Sequence, residues 1–113
     1  MKIHYQNHLE TIQGTWKCTS ATNQLTEESI DSDFSLLISE NLISRIGNNN
    51  QYWPSICSFD AVGTFRDTYY YREDGCFMQI KSLTDKNLLI ELSYKKEDGQ
   101  LNVFIFKFDK EAE

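Results

Sequence analysis

Two histidines, three cysteines and a scatter of carboxylates are the chemistry-bearing residues of this chain. His4 and His8 stand four apart, which on a helix would bring both imidazoles to one face, the spacing of a metal pair. No third ligand stands in a fixed relation to them, and they lie at the start of the sequence, where chain ends fray. Cys18, Cys57 and Cys76 are odd in number and lack paired metal-ligand spacing. A cysteine or serine nucleophile would need one of those same two histidines brought to it, and no Gly-x-Ser-x-Gly elbow is present. The carboxylates fall mostly in turn-like stretches ("TEESIDSD", "REDG", "KEDGQ", "DKEAE"), where solvation accounts for them. The five glycines are spread singly, so no phosphate-cradling loop exists. The residues therefore point to a protein that is not an enzyme and needs no cofactor or metal.

The elements that position these residues are strands. With 113 residues the sequence is one domain, 1–113, able to bury roughly two-thirds of its unfolded surface without disulfides or metal. Aromatic residues make up 13%, enough apolar surface to argue against disorder. A net charge of −6 argues against a nucleic-acid surface, which needs clustered Lys and Arg. No apolar run is long enough for a secretory signal or a membrane helix, and three free thiols suit a reducing, cytoplasmic setting.

Period-two alternation dominates the chain. In "GTWKCTS" Trp16, Cys18 and Ser20 share a face. In "DFSLLIS" Phe34, Leu36 and Ile38 do, and Glu40-Asn41 turns that strand into "LISRIG". "GNNNQ" reads as a loop, with Pro54 in a loop or at a strand start. "VGTFRDTYYYRED" carries two strands around a bend near Asp67. "EDG" turns into "CFMQIKSL", and "TDKN" turns into "LLIELSYK", whose Leu88, Ile90, Leu92 and Tyr94 share a face. The Asp98-Gly99 step is a strong hairpin signal leading into "LNVFIFKFDK". Helical crossovers have no room, so the expectation is an all-β antiparallel up-and-down barrel of about eight strands. One short helical turn is expected within Tyr5 to Ile12.

Gly14-Thr15-Trp16, after that helical turn and on the first strand, resembles the calycin superfamily. "CFMQIKSLTDKNLLIELSY" is similar to the penultimate hairpin of small bacterial lipocalin-like domains. The resemblance implies a lipocalin-like barrel whose floor is closed by Trp16, packed against a basic side chain of the last strand. Lys107 is the nearest match to that cation. Alternation, however, places Lys107 opposite Phe104, Phe106 and Phe108, so inward phenylalanines would exclude it.

Two function classes follow. The resemblance implies a non-catalytic binding protein with a small apolar molecule at the barrel mouth. Trp53, Tyr69, Tyr70, Tyr71, Tyr94 and Phe104 are then the candidate wall. Small size and acidic balance suggest instead an interaction module, such as an immunity or inhibitor protein, that meets a basic protein partner. Glu27, Glu28, Asp31 and Asp33 would face that partner, with Tyr52 and Trp53 as exposed aromatic anchors.

Overall fold

Inward and outward residues alternate along eight strands among the described residues, and the sheet they form closes on itself. The computed structural model describes residues 11–47, 49–50, 52–61, 69–95 and 98–111, with backbone alone for 61, 69, 94 and 95. The strands are β1 (Gly14–Asn23), β2 (Phe34–Ser39), β3 (Leu42–Gly47), β4 (Ile56–Ala61), β5 (Tyr69–Arg72), β6 (Phe77–Leu83), β7 (Asn87–Lys95) and β8 (Leu101–Lys110). Each pairs antiparallel with its neighbour in sequence, and β8 returns to β1. Among the described strands, closure leaves no edge strand for another chain to extend. The helical turn expected before β1, together with His4 and His8, lies almost wholly outside the described residues.

The strands follow the expected alternation with two departures. The fourth strand runs over "ICSFDA", ahead of the expected "VGTFRD", which lies outside the described residues. Cys57 and Phe59 point inward there while Ile56 and Asp60 are exposed, so the pattern is present but lies directly beyond the Pro54 loop. In β1 the register with β8 shifts between Cys18 and Ser20. Trp16 and Cys18 are buried as expected, but Ser20 loses its inward place and Ala21 takes it. A bulge inserts one residue and so transfers the alternation to the opposite parity.

Inside the barrel, Trp16, Phe34, Leu36, Ile38, Ile90 and Phe106 are among side chains with almost no exposure. Phe34 meets Phe106 and Phe108 edge-on at 6.2 and 6.1 Å between centroids. That is a favoured arrangement for ring quadrupoles.

At one end of the barrel, Trp16 is held by two polar contacts. Its Nε1 donates to the carbonyl of Ile12 at 2.8 Å. The Lys110 ammonium stands 4.6 Å from the centre of its ring and donates to the carbonyl of Gln13. Lys107 is exposed on the outer face, so the cation expected there is corrected to Lys110. The reason is parity: Phe104, Phe106 and Phe108 point inward, and Lys110 continues their face.

The same geometry explains the glycine two residues before the tryptophan. Gly14 has φ +116°, and a Cβ there would lie 2.8 Å from both Cε and Nζ of Lys110. A side chain would be strained and would displace the cation. Gly14→Ala is expected to cost about 1–3 kcal/mol of stability, read from urea denaturation. An unchanged midpoint would contradict this account of the motif.

Candidate functional site

The end opposite Trp16 gathers the β1–β2 loop (24–33), the β3–β4 loop (48–55) and the tight β5–β6 turn (73–76), because alternate connections of a meander share an end. The β3–β4 loop is built on side-chain hydrogen bonds. Tyr52 N–H donates to Asn50 Oδ1 at 2.8 Å, and Asn50 Nδ2 donates to the Asp31 carbonyl at 3.2 Å. Arg45, on β3, donates through Nη1 to the Trp53 carbonyl and through Nη2 to Asn49 Oδ1 at 3.1 Å. Two loops are thereby tied together, and the chain at Trp53 is fixed from β3.

Trp53 points into the barrel and has 0% exposure. Its ring lies 5.4 Å from Phe106, 6.2 Å from Phe108 and 6.3 Å from Phe34. A loop residue thus fills space that strand residues alone leave open. The reading of Trp53 as an exposed partner anchor is corrected: a side chain enclosed by three phenylalanines has no surface to offer. Tyr52, next to it, is half-buried and packs on Phe104 at 4.3 Å between centroids.

A buried cation stands on the other face of this core. Arg72 is 1% exposed, and its Cζ lies 4.9 Å from the centre of the Trp53 ring. Nε donates to Asp74 Oδ1 at 3.0 Å, and Nη2 pairs with Asp74 Oδ2. The β5–β6 turn brings the two together, with Gly75 N–H donating to the Arg72 carbonyl. Burial alone would raise the Asp74 carboxyl. The hydrogen bond and charge of Arg72 outweigh it and hold Asp74 below the ordinary carboxylate range. Nη1 of Arg72 and Nε1 of Trp53 are buried donors with no hydrogen-bond partner among the described residues. Such groups are costly when left alone and favour any acceptor that reaches them.

Between the two loops opens a recess of about 390 Å³, lined by Ile30, Asp31, Asn49, Asn50 and Tyr52. It brings together Asp31 and Tyr52, which the sequence assigned to a partner surface. Glu27, Glu28 and Asp33 are exposed on the same β1–β2 loop, Asp33 within 3.5 Å of Lys17. The expected aromatic wall is not assembled as one surface. Tyr70 is buried edge-on against Phe59 at 5.4 Å, whereas Tyr71 points outward, 43% exposed, against Phe77. Consecutive strand residues face opposite sides, so Tyr70 and Tyr71 cannot both line one cavity. Phe104 is inward beneath Tyr52, and the side chains of Tyr69 and Tyr94 lie outside the described residues. Arg72 and Asp74 read as turn charges in the sequence, although Arg72 shares the parity of Tyr70.

Nothing in the geometry of the described residues activates a nucleophile. Burial pushes the thiols of Cys18 and Cys57 up to about 11, and that of Cys76 upward as well. A thiol that stays protonated at neutral pH is inert. Among the described residues no group of three His, Cys, Asp or Glu is placed to hold a metal ion.

Two outcomes are expected. Trp53→Ala should cost about 3–5 kcal/mol in denaturant unfolding, where an exposed tryptophan would cost little. Asp74→Asn strands the Arg72 charge and should cost about 2–3 kcal/mol at neutral pH, below the fully buried range because Asp74 keeps partial solvent contact. Because folding depresses the Asp74 pKa, the pair's contribution is complete above the ordinary value of 3.8. It is lost as pH falls through the folded value. Wild type and Asp74→Asn should therefore converge in stability in acid, and a constant difference from pH 7 downward would contradict the assignment. No family model matches this chain, and neither curated proteins nor solved structures yield a match.

Proposed function

We propose that the protein is a non-catalytic binding protein of lipocalin-like fold that takes a small ligand at the mouth of the barrel. The observation that carries this reading is the recess of about 390 Å³ beside Tyr52, whose ring packs on the inward Phe104. The single aromatic face of Tyr52, in a concave opening otherwise lined by Ile30, Asp31, Asn49 and Asn50, suits a small molecule with one apolar face and several polar atoms. Two further features support it. The indole that fills the barrel beneath is carried by a loop, so an entering molecule competes with a side chain rather than with a strand. Among the described residues Trp53 Nε1 and Arg72 Nη1 lack a hydrogen-bond partner, and a ligand that displaced the indole would meet them with an acceptor atom. The small volume and the filled core argue for a compact molecule, not a long lipid.

The test is a titration with 8-anilinonaphthalene-1-sulfonate, an apolar probe with an acidic head. Binding in the micromolar range, with a change in tryptophan emission, is expected. Tyr52→Ala should weaken it at least tenfold while the protein remains folded by circular dichroism. Absence of binding, or indifference to Tyr52→Ala, would overturn the reading.

A second reading rests on one observation: Glu27, Glu28, Asp31 and Asp33 are all exposed on one loop. An acidic loop of this kind suits a basic protein partner and acts mainly on the rate of encounter. Tyr52 alone, not Trp53, would supply its aromatic contact.

A further inference from the structure

The recess between the β1–β2 and β3–β4 loops has a wall whose hydrogen-bonding atoms are sorted by the bonds already made there. Asn49 Oδ1 accepts from Arg45 Nη2 at 3.1 Å, so the oxygen of this amide is engaged and its Nδ2 is left as a donor. Asn50 uses both ends of its amide within the loops: Nδ2 donates to the Asp31 carbonyl at 3.2 Å, and Oδ1 accepts from Tyr52 N–H at 2.8 Å. Asp31 Oδ1 accepts from Asp33 N–H at 3.0 Å, which leaves Oδ2 as an acceptor. Among the described residues, the wall thus offers an amide donor on one loop and a carboxylate acceptor on the other. Ile30 and the Tyr52 ring supply its apolar surface.

These groups are held in place before any ligand arrives. Arg45, on β3, orients the Asn49 amide, and the backbone turn at Asp33 orients the Asp31 carboxylate. Tyr52 rests on Phe104 at 4.3 Å between centroids. A wall fixed in this way costs little ordering entropy when a small molecule binds.

We infer that the ligand is a neutral carbohydrate ring, a hexopyranose. This names the chemical class for the site proposed above and rests on that reading. A hydroxyl group both donates and accepts, so two neighbouring hydroxyls can give a proton to Asp31 Oδ2 and accept one from Asn49 Nδ2. Simple ions do not match the pair. An ammonium only donates, would leave Asn49 Nδ2 without an acceptor, and would meet the Arg45 guanidinium directly behind that amide. A carboxylate only accepts and would leave Asp31 without a donor. A pyranose ring also carries one face of C–H groups beside its hydroxyls, which suits the Tyr52 and Ile30 surface. The recess of about 390 Å³ is open to solvent and takes such a ring without moving Trp53 from the core. Binding is weak: a molecule of about twelve non-hydrogen atoms at ordinary ligand efficiency has a Kd of about 1–10 mM.

The test is an NMR titration of the folded protein, isotopically labelled with nitrogen-15, carried well past that Kd. The ligands are D-glucose, D-galactose, D-mannose and N-acetyl-D-glucosamine, with cyclohexanol, sodium acetate and choline chloride as comparisons. At least one sugar should move the Asn49 side-chain amide and the Tyr52 backbone signals to saturation. The three comparison compounds should bind at least tenfold more weakly. Asn49→Ala and Asp31→Ala should each weaken the sugar at least tenfold, with circular dichroism like that of wild type. Failure of all four sugars, or a comparison compound that binds as tightly as the best of them, would overturn the inference. Titration with 8-anilinonaphthalene-1-sulfonate separates the two levels of the argument. A protein that binds it through Tyr52 but takes no sugar keeps the small-ligand reading and loses this inference, whereas one that binds neither loses both.

Discussion

Eight strands enclose a channel that has to be filled, and in this chain two tryptophans, each beneath a cation, fill its ends. Trp16 lies under Lys110 at one end, and Trp53 lies against Arg72 toward the other. An indole is large enough to span the space that aliphatic side chains leave along a barrel axis, and its face accepts a cation at little cost. The other features of the core follow from these two placements. Gly14 is needed because Lys110 crosses it. Asp74 is needed because Arg72 is buried. The ring cluster of Phe34, Phe106 and Phe108 surrounds the indole that enters from the loop.

The two ends differ in what carries the tryptophan, and that difference bears on function. Trp16 is on β1, within a ladder bonded on both sides, so its position is set by the sheet. Trp53 is joined to the structure by one isolated bridge to Asn50 and by Arg45. A side chain anchored by a loop can leave the core without breaking a strand pair. Local opening of this sort draws on the less stable parts of a fold, where binding sites are commonly found. Among the described residues, Trp53 Nε1 and Arg72 Nη1 are buried donors without a hydrogen-bond partner, and both lie at this end.

Much of the architecture is legible in the sequence because period-two alternation needs no long-range information. The all-β antiparallel meander and the common face of Phe104, Phe106 and Phe108 follow from parity alone, whereas which face of β8 is inward comes from the fold. What escapes a sequence reading depends on breaks in parity or on the third dimension. The bulge after Cys18 moves Ser20 off its expected face. "ICSFDA" is hard to recognise as a strand because it begins directly after a proline loop. Trp53 looks like a surface aromatic, since loops are polar and solvated as a rule, and only the fold shows that this loop turns inward. Arg72 sits within "RED", a stretch that reads as turn solvation, although its spacing from Tyr70 places it inside. The pairing of Asp31 with Tyr52 around one recess joins residues from two loops and has no local signal at all.

The placement of both indoles can be tested most directly by acrylamide quenching of tryptophan fluorescence in the unmodified protein. Trp16 and Trp53 are each 0% exposed. Emission should be blue-shifted and weakly quenched, as one population, until the protein unfolds. A fraction of the emission that is red-shifted and quenched like free tryptophan in the folded protein would place Trp53 outside the barrel. That result would contradict the account of a core filled from the loop.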